Sequence, residues 1–306
     1  MNKIQYIFLF ASLFFVACSS EDVPNNPQKN DRQIELRLNV KNFVGETKTK
    51  AEFDANDDEK EIVNLNLFID TGSDWHSYYI SGATFTGGTW ETAGTQEKIL
   101  LSLKPDEVGE ATVYVVANAG ELSGITSVSV LKSQLVATAT SWTELGTPLI
   151  MSGEGQHAFT ANDPVLDAVT LTRAVAKAEV TVTLTQQYQS EVLTEYAYSL
   201  LNFNKNTYLF GDAPSKTEAL EGTGNEWIAI ADPIETVEEG GKITGFTFTT
   251  YLNERANATA GHTTLELKLP FWDHGAPPPQ FLDDSLPIQF PTTIERNHYY
   301  KIAVTM

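Results

Sequence analysis

A repeated alternation of apolar and polar residues constrains the fold of this chain most strongly. In the segment 34–40 the two kinds of residue alternate without interruption. Because successive side chains of a β-strand point to opposite faces, the apolar ones share one face. These residues are Ile34, Leu36, Leu38 and Val40. The pattern predicts a half-buried strand.

The same alternation recurs along the whole chain. It is found at residues 63–69, 98–103, 112–117, 178–184, 243–250, 264–269 and 299–304. Only segments 130–143 and 187–193 are candidates for helices, and neither is strongly amphipathic. Strands that follow one another without intervening helices predict an all-β chain built from sandwiches.

The length of the chain is sufficient for two domains. A turn at 162–164 precedes a strand that enters at 169–171. We therefore expect an N-terminal β-sandwich domain over residues 33–165 and a C-terminal one over 166–306.

The N-terminus predicts export. Residues 4–17 are mostly apolar and follow Lys3, but they are too few to cross a bilayer, so residues 1–17 are predicted to be a signal peptide. Cys18, the only cysteine, ends this stretch in a pattern that resembles the bacterial lipobox. We expect Cys18 to carry lipid, residues 18–32 to form a tether, and the outer membrane or cell surface to be the location.

The charge of the chain argues against nucleic-acid partners. It contains 40 acidic and 20 basic residues, a net charge of −20. An acidic surface repels phosphate backbones, and no basic cluster is present. With one cysteine no internal disulfide can form, so stability must come from cores and sheets.

One segment is similar in sequence to the active-site turn of a protease. Asp70, Thr71 and Gly72 follow an apolar strand, as in the active-site turn of aspartic proteases. That chemistry requires a second such turn, because two carboxylates must share a proton. The nearest candidate, 284–286, lacks the glycine. The segment therefore predicts a strand that ends in a turn capped by Asp70.

Metal sites and cofactors are not predicted. Residues 54–58 resemble the start of a calcium loop, but Glu59 stands where glycine is required, so a solvated acidic loop is expected. The histidines are far apart in the sequence. We predict no catalytic residue, metal or cofactor, and no enzymatic activity.

An aromatic segment close to the C-terminus suggests binding. Phe271, Trp272 and Phe281 flank a loop with prolines at 277–279. A stiff aromatic loop can stack on sugar rings or enter a protein groove with little loss of entropy. Alternatively, these aromatics cover one end of a sandwich.

Four segments together resemble the fimbrillin family, the type V pilins of outer-membrane anaerobes. They are 113–119, 148–153, 171–180 and 296–302. The resemblance implies two consecutive β-sandwiches of transthyretin-like, Greek-key type, with the third segment opening the second sandwich. It also implies a fimbrial subunit that contacts other pilins and mediates adhesion.

The resemblance implies assembly by strand exchange. In the family, a lipoprotein precursor fills a groove with its first strand, here Ile34 to Val40, until a trypsin-like protease removes that strand. A strand from the next subunit then takes its place. The arginine cleaved in the family corresponds to Lys50, with Lys48 close by, so a protease that accepts lysine would be required.

The subunit's position in a fibre is open to alternatives. Shaft subunits of the family continue into a donor segment, whereas this chain stops at Met306, which is expected of a tip subunit. An unprocessed precursor would instead be a lipid-held anchor. A stand-alone carbohydrate-binding lipoprotein is the third alternative. The residues Asp284, Ser285 and Leu286 also resemble an O-glycosylation acceptor.

Overall fold

β-strands dominate the computed structural model of the chain, which describes residues 33–45, 52–53, 55–93, 96–137, 145–204, 206–211, 219–220, 227–231, 233–256, 262–273 and 280–306. The strands before residue 174 are β1 (Ile34–Val40), β2 (Phe43–Gly45), β3 (Glu52–Phe53), β4 (Leu65–Asp70), β5 (Trp75–Ile80), β6 (Thr84–Phe85), β7 (Gly88–Ala93), β8 (Gln96–Leu101), β9 (Glu110–Ala117), β10 (Leu135–Ala137), β11 (Met151–Ala158) and β12 (Val165–Arg173).

The remaining strands are β13 (Val175–Thr183), β14 (Ala197–Leu201), β15 (Phe203–Asn204), β16 (Asn206–Tyr208), β17 (Ala219–Leu220), β18 (Ile228–Ala229), β19 (Glu235–Glu239), β20 (Lys242–Asn253), β21 (Arg255–Ala256), β22 (Thr264–Asp273), β23 (Gln280–Gln289), β24 (Thr293–Ile294) and β25 (His298–Thr305). The helices are single turns: α1 (Asp57–Lys60), α2 (Pro105–Val108) and α3 (Val128–Lys132), with 3₁₀ turns at Gln186–Tyr188 and Leu193–Glu195.

The all-β prediction is confirmed, and each of the eight alternating segments overlaps a strand. The predicted helices were largely wrong. In the described part of the first segment, residues 130–137, α3 ends at Lys132 and β10 begins at Leu135. The segment 187–193 contains only parts of the two 3₁₀ turns. Neither segment has an apolar stripe long enough to stabilise a helix by packing.

A continuous first sheet holds nine of the described strands, in the order β5-β4-β9-β11-β12-β1-β8-β7-β6. Its apolar side chains converge on one core, to which β1, β4, β8, β9 and β12 all contribute. Strands from both halves of the sheet thus face the same interior. β1 lies near the middle of the order, and its residues Ile34, Leu36 and Leu38 are part of this core.

Two further sheets pack face to face, and all of their strands except β2 and β3 come after residue 174. One has the order β19-β20-β13-β25-β2-β3 and the other β18-β14-β22-β23. Their facing residues form a single cluster that includes Val180, Phe246 and Tyr300 from one sheet and Leu200 and Leu267 from the other. This is the sandwich arrangement that the alternation predicted.

The change from the first sheet to the second falls later than residue 165. β12 spans the expected boundary and pairs with β1 and β11 in the first sheet, where Leu166 and Leu171 are buried in the first core. The turn at 162–164 therefore joins two strands of one sheet. The sheets change at Ala174, and the division into two domains stays a prediction.

Within the described ranges, no helix is long and apolar enough to cross a membrane.

Candidate functional site

β1 lies between β8 and β12 and is hydrogen-bonded on both edges. It runs antiparallel to β8, with Ile34 opposite Leu101, and parallel to β12, with Leu36 opposite Leu166. Removal of β1 would separate these two neighbours. Both would be left with unpaired backbone N–H and C=O groups, which are costly when they are not solvated.

The apolar face of β1 is buried as the sequence predicted. Ile34, Leu36 and Leu38 are 0%, 0% and 1% exposed. Burying each such side chain is worth about 1.5–3 kcal/mol. Val40 is half-buried, because it borders an open cleft of about 730 Å³ at the end of the strand. The role of these residues as a removable precursor strand stays a prediction.

Directly after β1 the chain crosses from the first sheet to the second. The Lys41 N–H donates to the Leu171 carbonyl at 2.9 Å, and the Val44 N–H donates to the Asn297 carbonyl at 2.9 Å. β2 then extends the second sheet by pairing in parallel with β25. A single cut within residues 46–50 would therefore separate β1 and β2 together from the rest of the chain.

Four side chains surround the crossing residues 41–43, and we call them the cradle: Arg173, Lys177, Asn297 and Tyr299. Arg173 Nη1 donates to the Lys41 carbonyl at 2.6 Å. Asn297 Nδ2 donates to the Asn42 carbonyl at 2.7 Å. Both bonds are to backbone carbonyls. They therefore do not depend on the identity of the side chains at positions 41 and 42.

Phe43 is the side chain that the cradle encloses. It is 1% exposed, and its ring centroid lies 4.4 Å from the Arg173 guanidinium carbon and 5.9 Å from Lys177 Nζ. The ring of Tyr299 lies 6.4 Å away, centroid to centroid. Two cations over a buried ring provide cation–π attraction in addition to hydrophobic burial.

Arg173 is fully buried and depends on acceptors for its charge. Its Nε donates to the Glu59 carbonyl at 2.9 Å, and Nη1 also donates to Asn297 Oδ1 at 3.0 Å. Burial lowers the pKa of Arg173 to about 10. A buried guanidinium is stable only while these acceptors stay in place.

Glu59 supplies the negative charge beside the cradle. It lies in α1, where its Oε2 accepts from the Asn56 N–H at 2.8 Å. Its Oε1 accepts from Lys177 Nζ at 2.7 Å and from the Tyr251 hydroxyl at 2.7 Å. Burial alone would raise the pKa of Glu59, but hydrogen bonds from Lys177, Tyr251 and Asn56 outweigh it and hold the pKa below its ordinary value.

The expectation of a solvated acidic loop is wrong for Glu59. Asp57 and Asp58 are exposed, but Glu59 is 1% exposed and paired with Lys177. The backbone turns into α1 here, which directs the Glu59 side chain inward. Among the residues that the structure describes, no group of three or more acidic, histidine or cysteine side chains could hold a metal ion.

The protease-like segment forms the turn that the sequence predicted. β4 ends at Asp70, whose Oδ1 accepts from the Gly72 N–H at 2.8 Å. Gly72 has a φ of 80°, a left-handed conformation that favours glycine. Asp70 therefore caps the turn.

The remaining candidate residues are only partly placed. Cys18, Lys48 and Lys50 lie outside the described residues. Phe271 is half-buried, with its ring 5.7 Å from that of Tyr188. The backbones of Trp272 and Phe281 lie opposite each other on the β22–β23 hairpin. Their loop, 274–279, is also outside the described residues, so the adhesive loop stays a prediction.

The possible glycosylation segment lies in a strand instead of a loop. Residues 284–286 are part of β23, with Ser285 opposite Lys268 of β22. β23 is the last strand in the order of its sheet. Whether Ser285 carries a sugar stays a prediction.

The sequence interpretation did not identify the cradle or Glu59. Arg173 and Asn297 do lie inside two of the segments that carried the family resemblance, 171–180 and 296–302. Their location in these two segments is the sequence feature that could have identified both residues. Burial of Glu59 had no comparable signal, because its partners Lys177 and Tyr251 are more than a hundred residues away.

Comparisons with known proteins agree with this architecture. Residues 174–305 match the family described as minor fimbrium tip subunit MfA4, C-terminal. The minor fimbrium tip subunit MfA4 of Porphyromonas gingivalis is 33% identical over 337 residues, covering 98% of each chain.

Solved structures share the fold. A protein described as a cell adhesion protein from Parabacteroides distasonis superposes with a TM-score of 0.59 at 17% identity, covering 90% of this chain and 88% of its own. The tip fimbrial protein Mfa3 of Porphyromonas gingivalis gives a TM-score of 0.53 at 14% identity, covering 90% and 95%.

The all-β fold and these relatives define a fimbrial subunit of the minor pilin class. The chain belongs to the fimbrillin family. Its relatives are fimbrial and adhesion proteins, not enzymes.

Proposed function

We propose that this chain is a tip or other minor subunit of a type V fimbrium, assembled by protease-triggered strand exchange and active in adhesion, without enzymatic activity. The observation that carries the proposal is the position of β1. It is an interior strand of a sheet, yet one cut within residues 46–50 would sever its covalent link to the rest of the chain. Such a strand can be replaced by an equivalent strand from another pilin.

The energetics favour replacement over simple loss. Departure of β1 would open a slot lined by the residues that now face Ile34, Leu36 and Leu38, with free hydrogen-bonding edges on β8 and β12. An extended segment with alternating apolar residues satisfies both requirements, because main-chain bonds supply affinity and alternate side chains fill the slot. The strand of another subunit is such a segment.

Processing on the cell tests this proposal. The chain extracted from purified surface fimbriae should begin after Lys48 or Lys50, and a variant with Lys48→Gln and Lys50→Gln should remain unprocessed. The N-terminal peptide is identified by mass spectrometry. Fimbriae that hold only a chain beginning at Cys18 would favour the alternative of a lipid-held anchor.

Lipidation of Cys18 is a separate part of the proposal. We expect wild-type cells fed a labelled palmitate analogue to yield a labelled precursor, and Cys18→Ala cells to yield an unlabelled one. Loss of the acyl chains should also release the protein from membrane fractions, since two or more chains anchor a protein stably. Label on the Cys18→Ala protein would contradict lipid attachment at Cys18.

Adhesion is proposed for the β22–β23 hairpin. Phe271, Trp272 and Phe281 lie near its end, and the receptor would be a glycan or a protein groove that accepts aromatic side chains. A lipid-anchored carbohydrate-binding module is the second candidate function, because it would use the same aromatic loop without assembly into a fibre.

A further inference from the structure

The crossing residues 41–43 occupy a second binding site next to the aliphatic slot of β1. Its donors, Arg173 Nη1 and Asn297 Nδ2, bind two successive carbonyls, and its enclosed volume holds one ring. Phe43 follows Leu38 by five residues. The slot and the cradle therefore bind one continuous segment, at two positions with a fixed spacing.

We infer that the cradle is a recognition site for an aromatic residue on an incoming pilin strand, placed about five residues after the last aliphatic residue that fills the slot of β1. This inference rests on the proposed strand exchange and names a feature of the partner. The donor would be an extended segment whose alternating aliphatic residues are followed by a short crossing and then an aromatic side chain.

The cations explain why the side chain should be aromatic. The face of the Phe43 ring lies against Arg173 at 4.4 Å, and Lys177 is also within cation–π range at 5.9 Å. An aliphatic side chain could fill the space but would offer no negative π-face to these cations. A polar side chain would have to be desolvated beside them.

An empty cradle would raise the free energy of the folded protein. Departure of one strand is therefore coupled to capture of the next. Arg173, which is 0% exposed in the intact chain, would lose the Lys41 carbonyl and the Phe43 ring. Within the described part of the chain, its Nη2 already makes no hydrogen bond. Arg173 would keep only the Glu59 carbonyl and Asn297 Oδ1 as acceptors. Loss of partners from a buried charge is unfavourable, so the cradle should be refilled together with the slot.

Peptide exchange into the full chain tests the inference. A specific protease site replaces residues 46–50, and cutting the folded protein leaves its N-terminal segment held without a covalent link. Fluorescent peptides spanning residues 33–45 are then added, and their binding is followed by anisotropy. One peptide has the natural sequence, one carries Phe43→Ala, one carries Val44→Ala, and one has pentafluorophenylalanine at position 43.

The four peptides separate the possible explanations. The Phe43→Ala peptide should bind at least about tenfold more weakly than the natural one, whereas Val44→Ala, whose side chain is only half-buried, should stay within about threefold. Pentafluorophenylalanine keeps the ring's size but reverses its quadrupole, so this peptide should bind several-fold more weakly.

Three outcomes would overturn the inference, and they differ in whether the proposed strand exchange also fails. If all four peptides exchange with equal affinity, the cradle does not select an aromatic residue, but strand exchange stands. If the pentafluoro peptide binds as well as the natural one while Phe43→Ala fails, the site recognises size without the cations. If no peptide enters, the proposed strand exchange fails as well.

Discussion

Deletion of residues 33–42 should leave a protein that is insoluble on its own. The deletion removes the strand between β8 and β12 together with the buried side chains of Ile34, Leu36 and Leu38. At about 1.5–3 kcal/mol for each side chain, the loss is comparable with the 5–15 kcal/mol of free energy that stabilises a typical domain. The soluble fraction after expression without the signal peptide measures the effect.

A strand supplied in trans should restore solubility. Co-expression of residues 31–45 fused to a soluble carrier should return the deletion variant to the soluble fraction as a complex with the carrier. The matched control is the same fusion with Leu36→Asp, which places a charge in the slot and should not rescue. A deletion variant that is soluble, monomeric and as heat-stable as the parent would contradict the account of β1.

Replacement of Glu59 by alanine should destabilise the protein by about 3–5 kcal/mol, because removal of one partner leaves the other charge of a buried pair without compensation. Lys177 is 7% exposed and loses the carboxylate that it contacts, and Tyr251 loses its acceptor. The control is Glu61→Ala, because Glu61 is exposed and follows α1 directly. Urea unfolding measures both, and equal midpoints would contradict a stabilising role for Glu59.

Acid should weaken the same contacts. Because the pKa of Glu59 is lower in the folded protein than the ordinary value of 4.5, the unfolded chain takes up the proton first as the pH falls. The contribution of Glu59 is therefore present above about pH 4.5 and is lost as the pH falls through its folded pKa. Unfolding midpoints of Glu59→Gln should decline less between pH 5 and pH 3 than those of the parent.

Features that depend on neighbours in sequence were predictable. The alternation at 34–40 identified β1, because the period of side-chain direction in a strand is a local property. The cap formed by Asp70 on the Gly72 amide was likewise predictable, since a turn of this kind is complete within three residues. Neither feature needs information from distant parts of the chain.

Features that depend on distant contacts were not predictable in the same way. The acidic run around α1 has the composition of a solvated loop, and only the approach of Lys177 and Tyr251 makes burial of Glu59 favourable. The pairing partners of β12 were not predictable for a related reason. The alternation in β12 shows that it is a strand, but not that it pairs with β1 instead of opening the next sandwich.

A reversible lock on β1 tests the central claim most directly. Arg37 and Lys98 lie opposite each other on β1 and β8, so Arg37→Cys with Lys98→Cys should form a disulfide that fixes β1 in place. The control joins β7 to β8 through Glu91→Cys with Lys98→Cys, which shares one cysteine and leaves β1 free. We expect the β1 lock to fold but to be absent from purified fimbriae until reductant is added, while the control enters fimbriae in either state. Equal incorporation of the oxidised β1 lock would contradict assembly by strand exchange.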